Sequence, residues 1–306
     1  MKIYKNSFFI LFAFFALVGY NACTPSKKAV TVLNSGDDSF ASLRVRNPYG
    51  KAITFIGDEK KGSIGYELNG EIHWVKGQPQ ISSAGDSALN YCWEQNDTKI
   101  IMHVNELKNE THIQFLLDSD RKPSAWHISL SASDDEYFTG VAERVVDGPQ
   151  QESWKEGITT ALNLHGERME VKLKPTVSAY APFYLSSENY ALFVHGTWPG
   201  VIDFCRETPN RVQISFEGPQ LSFSLMVDKS PAELVKRHAL ETGPSFVPPR
   251  WAFGPWRWRD EHVNNKNHFD GSPVKSPYNS DLVEDILMMQ AYDIPCTAYW
   301  IDRPWG

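Results

Sequence analysis

From residue 39 to about residue 228, apolar and polar positions alternate with period two in short runs broken by turn residues. Trp126, Ile128, Leu130 and Ala132 alternate with His127, Ser129 and Ser131, and Met169, Val171 and Leu173 alternate with Glu170, Lys172 and Lys174. The pattern recurs at Val212, Ile214 and Phe216, and again at Leu221, Phe223, Leu225 and Val227. Successive side chains of a strand point to opposite faces, so each run predicts a strand with one buried and one wet face. Asn47-Pro48-Tyr49-Gly50, Asn69-Gly70, Asp147-Gly148-Pro149, Thr208-Pro209-Asn210 and Gly218-Pro219 mark the turns between them. Many short antiparallel strands with no long helical pattern among them predict a β-sandwich over residues 39–228.

The period then changes. Ser230-Pro231-Ala232-Glu233 has the form of a capping box, with proline where a missing N–H costs nothing. The helix it opens carries Leu234, Val235, His238 and Ala239 on one face, and Gly243-Pro244 stops it. Residues 229–249 thus read as a linking helix and a run-in, where Pro248-Pro249 forces extended backbone into an expected strand at Trp251-Ala252-Phe253-Gly254. A polar loop from Asp260 to Asn279 follows, long enough to be either functional or disordered. Ser280 then caps a second helix, with Asp281, Glu284 and Asp285 near its positive end. Leu282, Ile286 and Met289 share its apolar face, which Val283 and Leu287 widen. Ile294-Pro295 ends this helix and leads into a strand from Cys296 to Ile301. Strand, helix, strand is the opening of a parallel α/β barrel, expected over residues 250–306. The fold class is therefore multidomain, β then α/β: an antiparallel β-sandwich followed by the first strands and helix of a (β/α)8 barrel.

The N-terminus adds a targeting segment. Lys2 and Lys5 precede an apolar stretch from Phe8 to Gly19, too short for the ~20 residues that span a bilayer, and Ala22-Cys23 supplies a small residue before a cysteine. Residues 1–22 read as a signal peptide, either of the lipoprotein kind with Cys23 lipidated, or of the ordinary secretory kind cut nearby. Both export the chain, to the periplasm or the outer membrane of a Gram-negative bacterium, with any membrane contact through a lipid on Cys23. Residues 23–38, rich in Ser, Lys, Gly and Asp, suit a tether, with order starting near Phe40.

Composition narrows the partners. A net charge of -7 without a basic stripe excludes nucleic acid. Cys92, Cys205 and Cys296 are odd in number and widely spaced, and neither they nor the nine scattered histidines have metal-ligand spacing, so no disulfide framework, metal or cofactor is expected. Ten Trp, twelve Tyr and seventeen Phe fit large β cores, with room for some sugar-stacking platforms.

In a barrel, ligands bind at the C-terminal ends of the strands. That singles out Trp256 to His262 and Asp302 to Trp305. Trp256 and Trp258 fall on one side of extended backbone and Arg257 and Arg259 on the other. The tryptophans serve either inner-barrel packing or sugar stacking, and Asp302 either caps a strand end or grips a ligand. Trp300, Trp305, Arg259 and Asp260 complete the candidate substrate-binding set.

These stretches resemble glycoside hydrolase family 31. The resemblance runs through Phe138-Thr139-Gly140-Val141-Ala142-Glu143, Ala181-Pro182-Phe183-Tyr184-Leu185-Ser186-Ser187 and Tyr190-Ala191-Leu192-Phe193-Val194. It continues through Glu241-Thr242-Gly243-Pro244, Pro248-Pro249-Arg250-Trp251-Ala252-Phe253-Gly254, and Ile294-Pro295 leading to Trp300-Ile301-Asp302. It implies a galactose-mutarotase-like sandwich packed on a catalytic barrel, and a retaining mechanism on α-linked oligosaccharides or glycans. It aligns Asp302 with an acid that grips a hydroxyl of the bound sugar, and Arg259 with a recurrent basic position. The nucleophile and acid/base belong to later barrel strands, so residues 1–306 are expected to be inactive alone. Cys296-Thr297 stand where many members have an acid, and Asp260 where many have an aromatic residue, which points away from plain glucose as the sugar. The alternative is a non-catalytic carbohydrate-binding surface lipoprotein.

Overall fold

A computed structural model describes residues 29–33, 36, 38–95, 97–142, 163–172, 180–243, 245–259 and 281–301. The expected signal segment, Cys23 and the expected turn at Asp147-Gly148-Pro149 lie outside them. Strands β1 (Val30–Val32), β2 (Leu43–Val45), β3 (Ile53–Phe55), β4 (Ile64–Leu68) and β5 (Glu71–Trp74) begin one sheet. Strands β6 (Gln80–Ser83), β7 (Ala88–Gln95), β8 (Thr98–Leu107) and β9 (Glu110–Leu117) then run as a meander in a second. The chain returns to the first sheet with β10 (Ala125–Ser131), gives β11 (Phe138–Ala142) to the second and β12 (Glu167–Val171) to the first. Next come β13 (Tyr180–Ser186) and β14 (Tyr190–His195) in the second, β15 (Gly200–Phe204) and β16 (Arg211–Glu217) in the first, and β17 (Gln220–Val227) in the second.

The first sheet has the order β1-β2-β3-β10-β16-β15-β12, with β4 and β5 added beside β10, and the second has the order β11-β13-β14-β17-β9-β8-β7-β6. Their pairings are antiparallel, and the two inner faces share one apolar core. Phe115 on β9 stacks on Trp126 on β10, ring centroids 5.8 Å apart, and Phe55 on β3 meets Phe223 on β17 at 6.3 Å. The sequence pattern maps onto this core directly. Ile100, Met102 and Val104 point in from β8, Ile113, Phe115 and Leu117 from β9, and Val212, Ile214 and Phe216 from β16.

Asn69-Gly70 joins β4 to β5 with φ of 54° and 81°, the left-handed pair that a two-residue hairpin turn requires. Gly218, before β17, has φ 112°, and a Cβ there would stand 2.8 Å from the ring of Trp198. The expected tether needs correction. The first sheet begins at Val30, inside the 23–38 stretch, where Val30 faces Val45 in register and both are buried. Two valines gain more from the shared core than a Ser- and Gly-rich neighbourhood suggests.

Helix α1 (Pro231–Thr242) follows, and the chain divides into two units within it, at His238 and Ala239. Ser230 caps it, its Oγ accepting from Glu233 N–H at 3.4 Å, and Gly243 ends it at φ 108°. Leu234 is fully buried against Phe183, Ala191 and Met226, on the outer face of the second sheet. Val235, expected on the same stripe, is 47% exposed, because the contact face is only one residue wide at that turn. Arg237 donates to Asp228 at 2.7 Å and ties the helix back to the strand it leaves.

The covered face of the second sheet holds a polar cluster that period two reads only as a wet side. His112 and His195 lie 5.1 Å apart, edge to face. Each bonds a serine of β17: His112 Nε2 to Ser222 Oγ at 2.9 Å, and His195 Nε2 to Ser224 Oγ at 3.0 Å. Ser224 Oγ donates to Glu110 at 2.8 Å, and His238 stacks flat on Phe183 at 3.9 Å. Burial drives the pKa of His195 down to about 4, with repulsion from His112 and His238 adding to it. A ring held neutral in the folded chain protonates first in the unfolded one, whose pKa is near the ordinary 6.5. The corresponding stability is complete above that value and is lost as the pH falls toward 4. Urea midpoints measured from pH 7 to pH 4.5 should therefore fall less steeply for His195→Gln than for the natural chain, and equal slopes would refute this assignment.

Candidate functional site

Past α1, the run Arg250–Phe253 forms a single 3-10 turn, not the strand expected at residues 251–254. Pro249, at φ -62°, offers its carbonyl to Ala252 N–H at 2.9 Å, and Gly254 N–H closes on Trp251 O at 3.1 Å. Trp251-Ala252-Phe253 has no polar alternation to hold it extended, and its turn is covered by Trp256, which stacks on Trp251 at 6.1 Å and donates from Nε1 to Ala252 O at 3.2 Å. The strand forms next, as β18 (Trp256–Arg259).

Helix α2 (Asp281–Ala291) and strand β19 (Ala298–Ile301) complete the second unit. β18 and β19 are parallel, in the register Trp256 to Ala298, Arg257 to Tyr299, Trp258 to Trp300 and Arg259 to Ile301. β19 starts two residues later than the sequence suggests, because Cys296 and Thr297 serve the approach to it. Thr297 donates to Pro255 O from both N–H and Oγ1, at 2.8 and 3.1 Å, and Gly254 has no Cβ because one would stand 2.3 Å from Thr297 Cγ2. Cys296 and Thr297 thus have a local structural use at the start of β19.

One carboxylate orients the whole unit. Asp285, on α2, accepts from Arg257 Nε at 2.9 Å and from Tyr299 Oη at 2.7 Å, and it faces Arg257 Nη2 at 2.9 Å. Arg257 and Tyr299 are register partners on adjacent strands, so the helix side of the sheet is set by this three-way contact. Trp256, Trp258 and Trp300 consequently share the face turned away from α2, each 52% exposed. Sequence spacing separates Trp256 and Trp258 from Arg257 correctly, but it gives no sign that Asp285 is what fixes the faces. The acid sits in the first turn of α2, where helix-dipole complementarity is explanation enough for it.

The structure brings together Trp256, Trp258 and Trp300. Arg259 is the last residue of β18, level with Ile301. Asp260, Asp302 and Trp305, with the loop that precedes α2, lie outside the described residues, as does Cys23. Among the described residues no group of His, Cys, Asp and Glu has the arrangement of a metal site, and no helix is long and apolar enough to cross a membrane.

Comparison with known proteins bears on this arrangement. No protein-family model matches the chain. It is 25% identical over 235 residues to the α-xylosidase XylQ of Lactiplantibacillus pentosus, covering 69% of this chain and 27% of that protein. It is 35% identical over 75 residues to an α-xylosidase of Emericella nidulans, covering 24% of this chain and 10% of that one. The chain therefore spans about a quarter or less of these relatives. Among solved structures, a GH31 family sulfoquinovosidase from E. rectale superposes over 89% of this chain and 48% of its own, with TM-score 0.55 and 13% identity, a likeness of fold.

If Asp285 sets the orientation of the strands, Asp285→Ala should destabilise the second unit by about 1.5–3 kcal/mol, the range for hydrogen bonds to a charged group, and Tyr299→Phe by about 0.5–1.5 kcal/mol. Hydrogen exchange of α2 and β19 amides measures both, and unchanged protection in Asp285→Ala would rule the role out.

Proposed function

We propose that this chain belongs to glycoside hydrolase family 31 and supplies the β-sandwich and the first βαβ unit of a retaining α-glycoside hydrolase, a reading supported by its similarity to two α-xylosidases and by its likeness of fold to a GH31 sulfoquinovosidase. The observation that supports the barrel reading is the parallel pair β18 and β19, with Trp256, Trp258 and Trp300 on the face away from α2. In a (β/α)8 barrel the helices lie outside, so that face is the interior, and its C-terminal rim is where substrate binds. Trp258 and Trp300, level with each other and one residue from the strand ends, are placed to stack on a sugar ring.

The reaction requires two carboxyl groups about 5–5.5 Å apart, one attacking the anomeric carbon and one giving, then taking, a proton. In this reading both come from barrel strands outside residues 1–306. Asp302 has a different task in this reading, accepting hydrogen bonds from hydroxyls of the sugar at the cleavage point, with Arg259, Asp260 and Trp305 as further candidate substrate-binding residues. A carboxylate gripping a hydroxyl at about 1.5–3 kcal/mol contributes roughly ten- to hundredfold in kcat/KM. The substrate class is an α-linked oligosaccharide or glycan reached outside the cytoplasm, with Cys23 holding the protein to a membrane through lipid.

The 306-residue chain should release no nitrophenol from nitrophenyl α-xyloside, α-glucoside or α-galactoside, whereas a protein carrying the remaining barrel strands should. In that longer protein Asp302→Ala should lower kcat/KM by about ten- to hundredfold. Turnover by the 306-residue chain would overturn the division of labour. Localisation is checked separately: Cys23→Ser should move the exported protein from the membrane fraction to the soluble one, and retention at the membrane would sink the lipid anchor.

A further inference from the structure

The outer face of the first sheet carries a cavity of about 250 Å³ that no part of the hydrolytic reading uses. Its floor is built by register. Ser129 on β10 lies opposite Gln213 on β16, Gln213 opposite Asp203 on β15, and Asp203 opposite Arg168 on β12, so four strands present one row of polar side chains. Inward neighbours Ile128, Ile214 and Ile202 belong to the core, which leaves this row no alternative but the outer side.

Two observations set this depression apart from an ordinary wet face. The first is its wall. Trp74 on β5 lies against Gly62 and Gly65, where added Cβ atoms would stand 3.0 and 2.6 Å from Trp74 atoms, so only glycine lets the indole lie down on the sheet. The ring thus becomes a flat apolar surface beside polar groups, with His127 tilted against it at 6.1 Å. The second is the floor. Asp203 is 3% exposed and Ser129 7% exposed, yet Asp203 Oδ2 and Ser129 Oγ have no hydrogen-bond partner among the described residues. The other carboxylate oxygen of Asp203 is used, accepting from Arg206 and Glu207 N–H at 2.9 and 3.1 Å. A buried acceptor left unpaired costs about 1–3 kcal/mol unless something fills the gap.

Charge narrows what that is. Lys61, Arg168 and Arg211 line the cavity, and they are offset by Asp203 and Glu207 within it and by Asp58, which holds Arg211 at 3.3 Å. Arg168 similarly stands 3.7 Å from Glu207. Balanced charge does not select an anion. A flat ring, unpaired buried oxygens and paired guanidinium groups around a volume near the lower end for small-molecule pockets suit one neutral polyhydroxylated ring.

We infer that this cavity is a second carbohydrate-binding site, taking one neutral pyranose unit between the Trp74 indole and the Ser129, Gln213, Asp203 row. Ser129 Oγ and Asp203 Oδ2, closed to solvent in the free chain, would turn toward the sugar and accept from its hydroxyls, and a C–H face of the ring would stack on Trp74. The inference does not rest on hydrolysis, since none of these residues lies in the barrel unit.

Titration of the 306-residue chain with methyl α-D-xylopyranoside and methyl α-D-glucopyranoside, followed by saturation-transfer NMR, tests it. Binding of either glycoside in the millimolar range is expected, weakened tenfold or more in Trp74→Ala and about three- to tenfold in Asp203→Asn and Ser129→Ala. The same series is repeated in a Trp258→Ala background, which removes stacking on the barrel face; the Trp74-dependent part of the binding should persist there. Asp203→Asn keeps the oxygen that accepts from Arg206 and Glu207, so a loss there together with an unaltered circular dichroism spectrum is not a folding defect. No binding of either glycoside, equal binding by the natural chain, Trp74→Ala, Asp203→Asn and Ser129→Ala, absence of Trp74-dependent binding in the Trp258→Ala background, or displacement of the glycoside by equimolar inorganic sulfate would each overturn the inference.

Discussion

The contact on which the sandwich depends is the meeting of its two sheets through aromatic side chains, with Phe115 on Trp126 and Phe55 on Phe223. Stacked sheets lie about 10 Å apart, a gap that large rings from both sides fill and short aliphatic chains do not. Because this layer is shared, the strands of both sheets turn their apolar set to it, and a one-residue slip would put that set in water. The outer faces are then free to differ. One is dry in part, under Leu234 and His238 of α1, and holds the histidine cluster. The other is open and lined with charged and polar side chains.

The second unit obeys another constraint. Its parallel pair is oriented by one buried-side acid, Asp285, which takes an arginine from β18 and a tyrosine from β19. Hydrogen bonds to a charged group are directional and strong, so they hold the two strands and the helix in one arrangement. The tryptophans fall on the opposite face as a consequence. Their chemistry is thus a by-product of where the acid pulls its partners.

Much of this was readable in advance. Asn69-Gly70, Gly218 and the Ser230 cap act locally, through dihedral preference and one side-chain hydrogen bond, and they stand where the sequence implies. The reading failed where a non-local partner outweighs local preference. Val30 joins the sheet because Val45 lies beside it, whereas the 251–254 run was missed for a local reason, its turn being closed by Pro249 and by the Trp256 indole a few residues on. The candidate sugar-binding residues were half legible: Trp256, Trp258 and Trp300 share a face as spacing and register require, while nothing in spacing marks Asp285 or Asp203.

The sequence by itself determined the clearly alternating strands, which side of each is apolar, where most of the turns fall, and where period two gives way to a helix and a βαβ unit. Those properties depend on neighbours a few residues apart, and local sterics and side-chain alternation settle them. Only the tertiary structure decided that β10 sits between β16 and the β3–β4 edge, that β17 pairs with β9 more than 100 positions earlier, and that α1 roofs one outer face. It also decided that Trp74, Ser129, Asp203 and Arg168 surround one cavity. Strand pairing uses backbone groups that every residue carries, so the period of a strand says which way it faces and not which strand lies beside it.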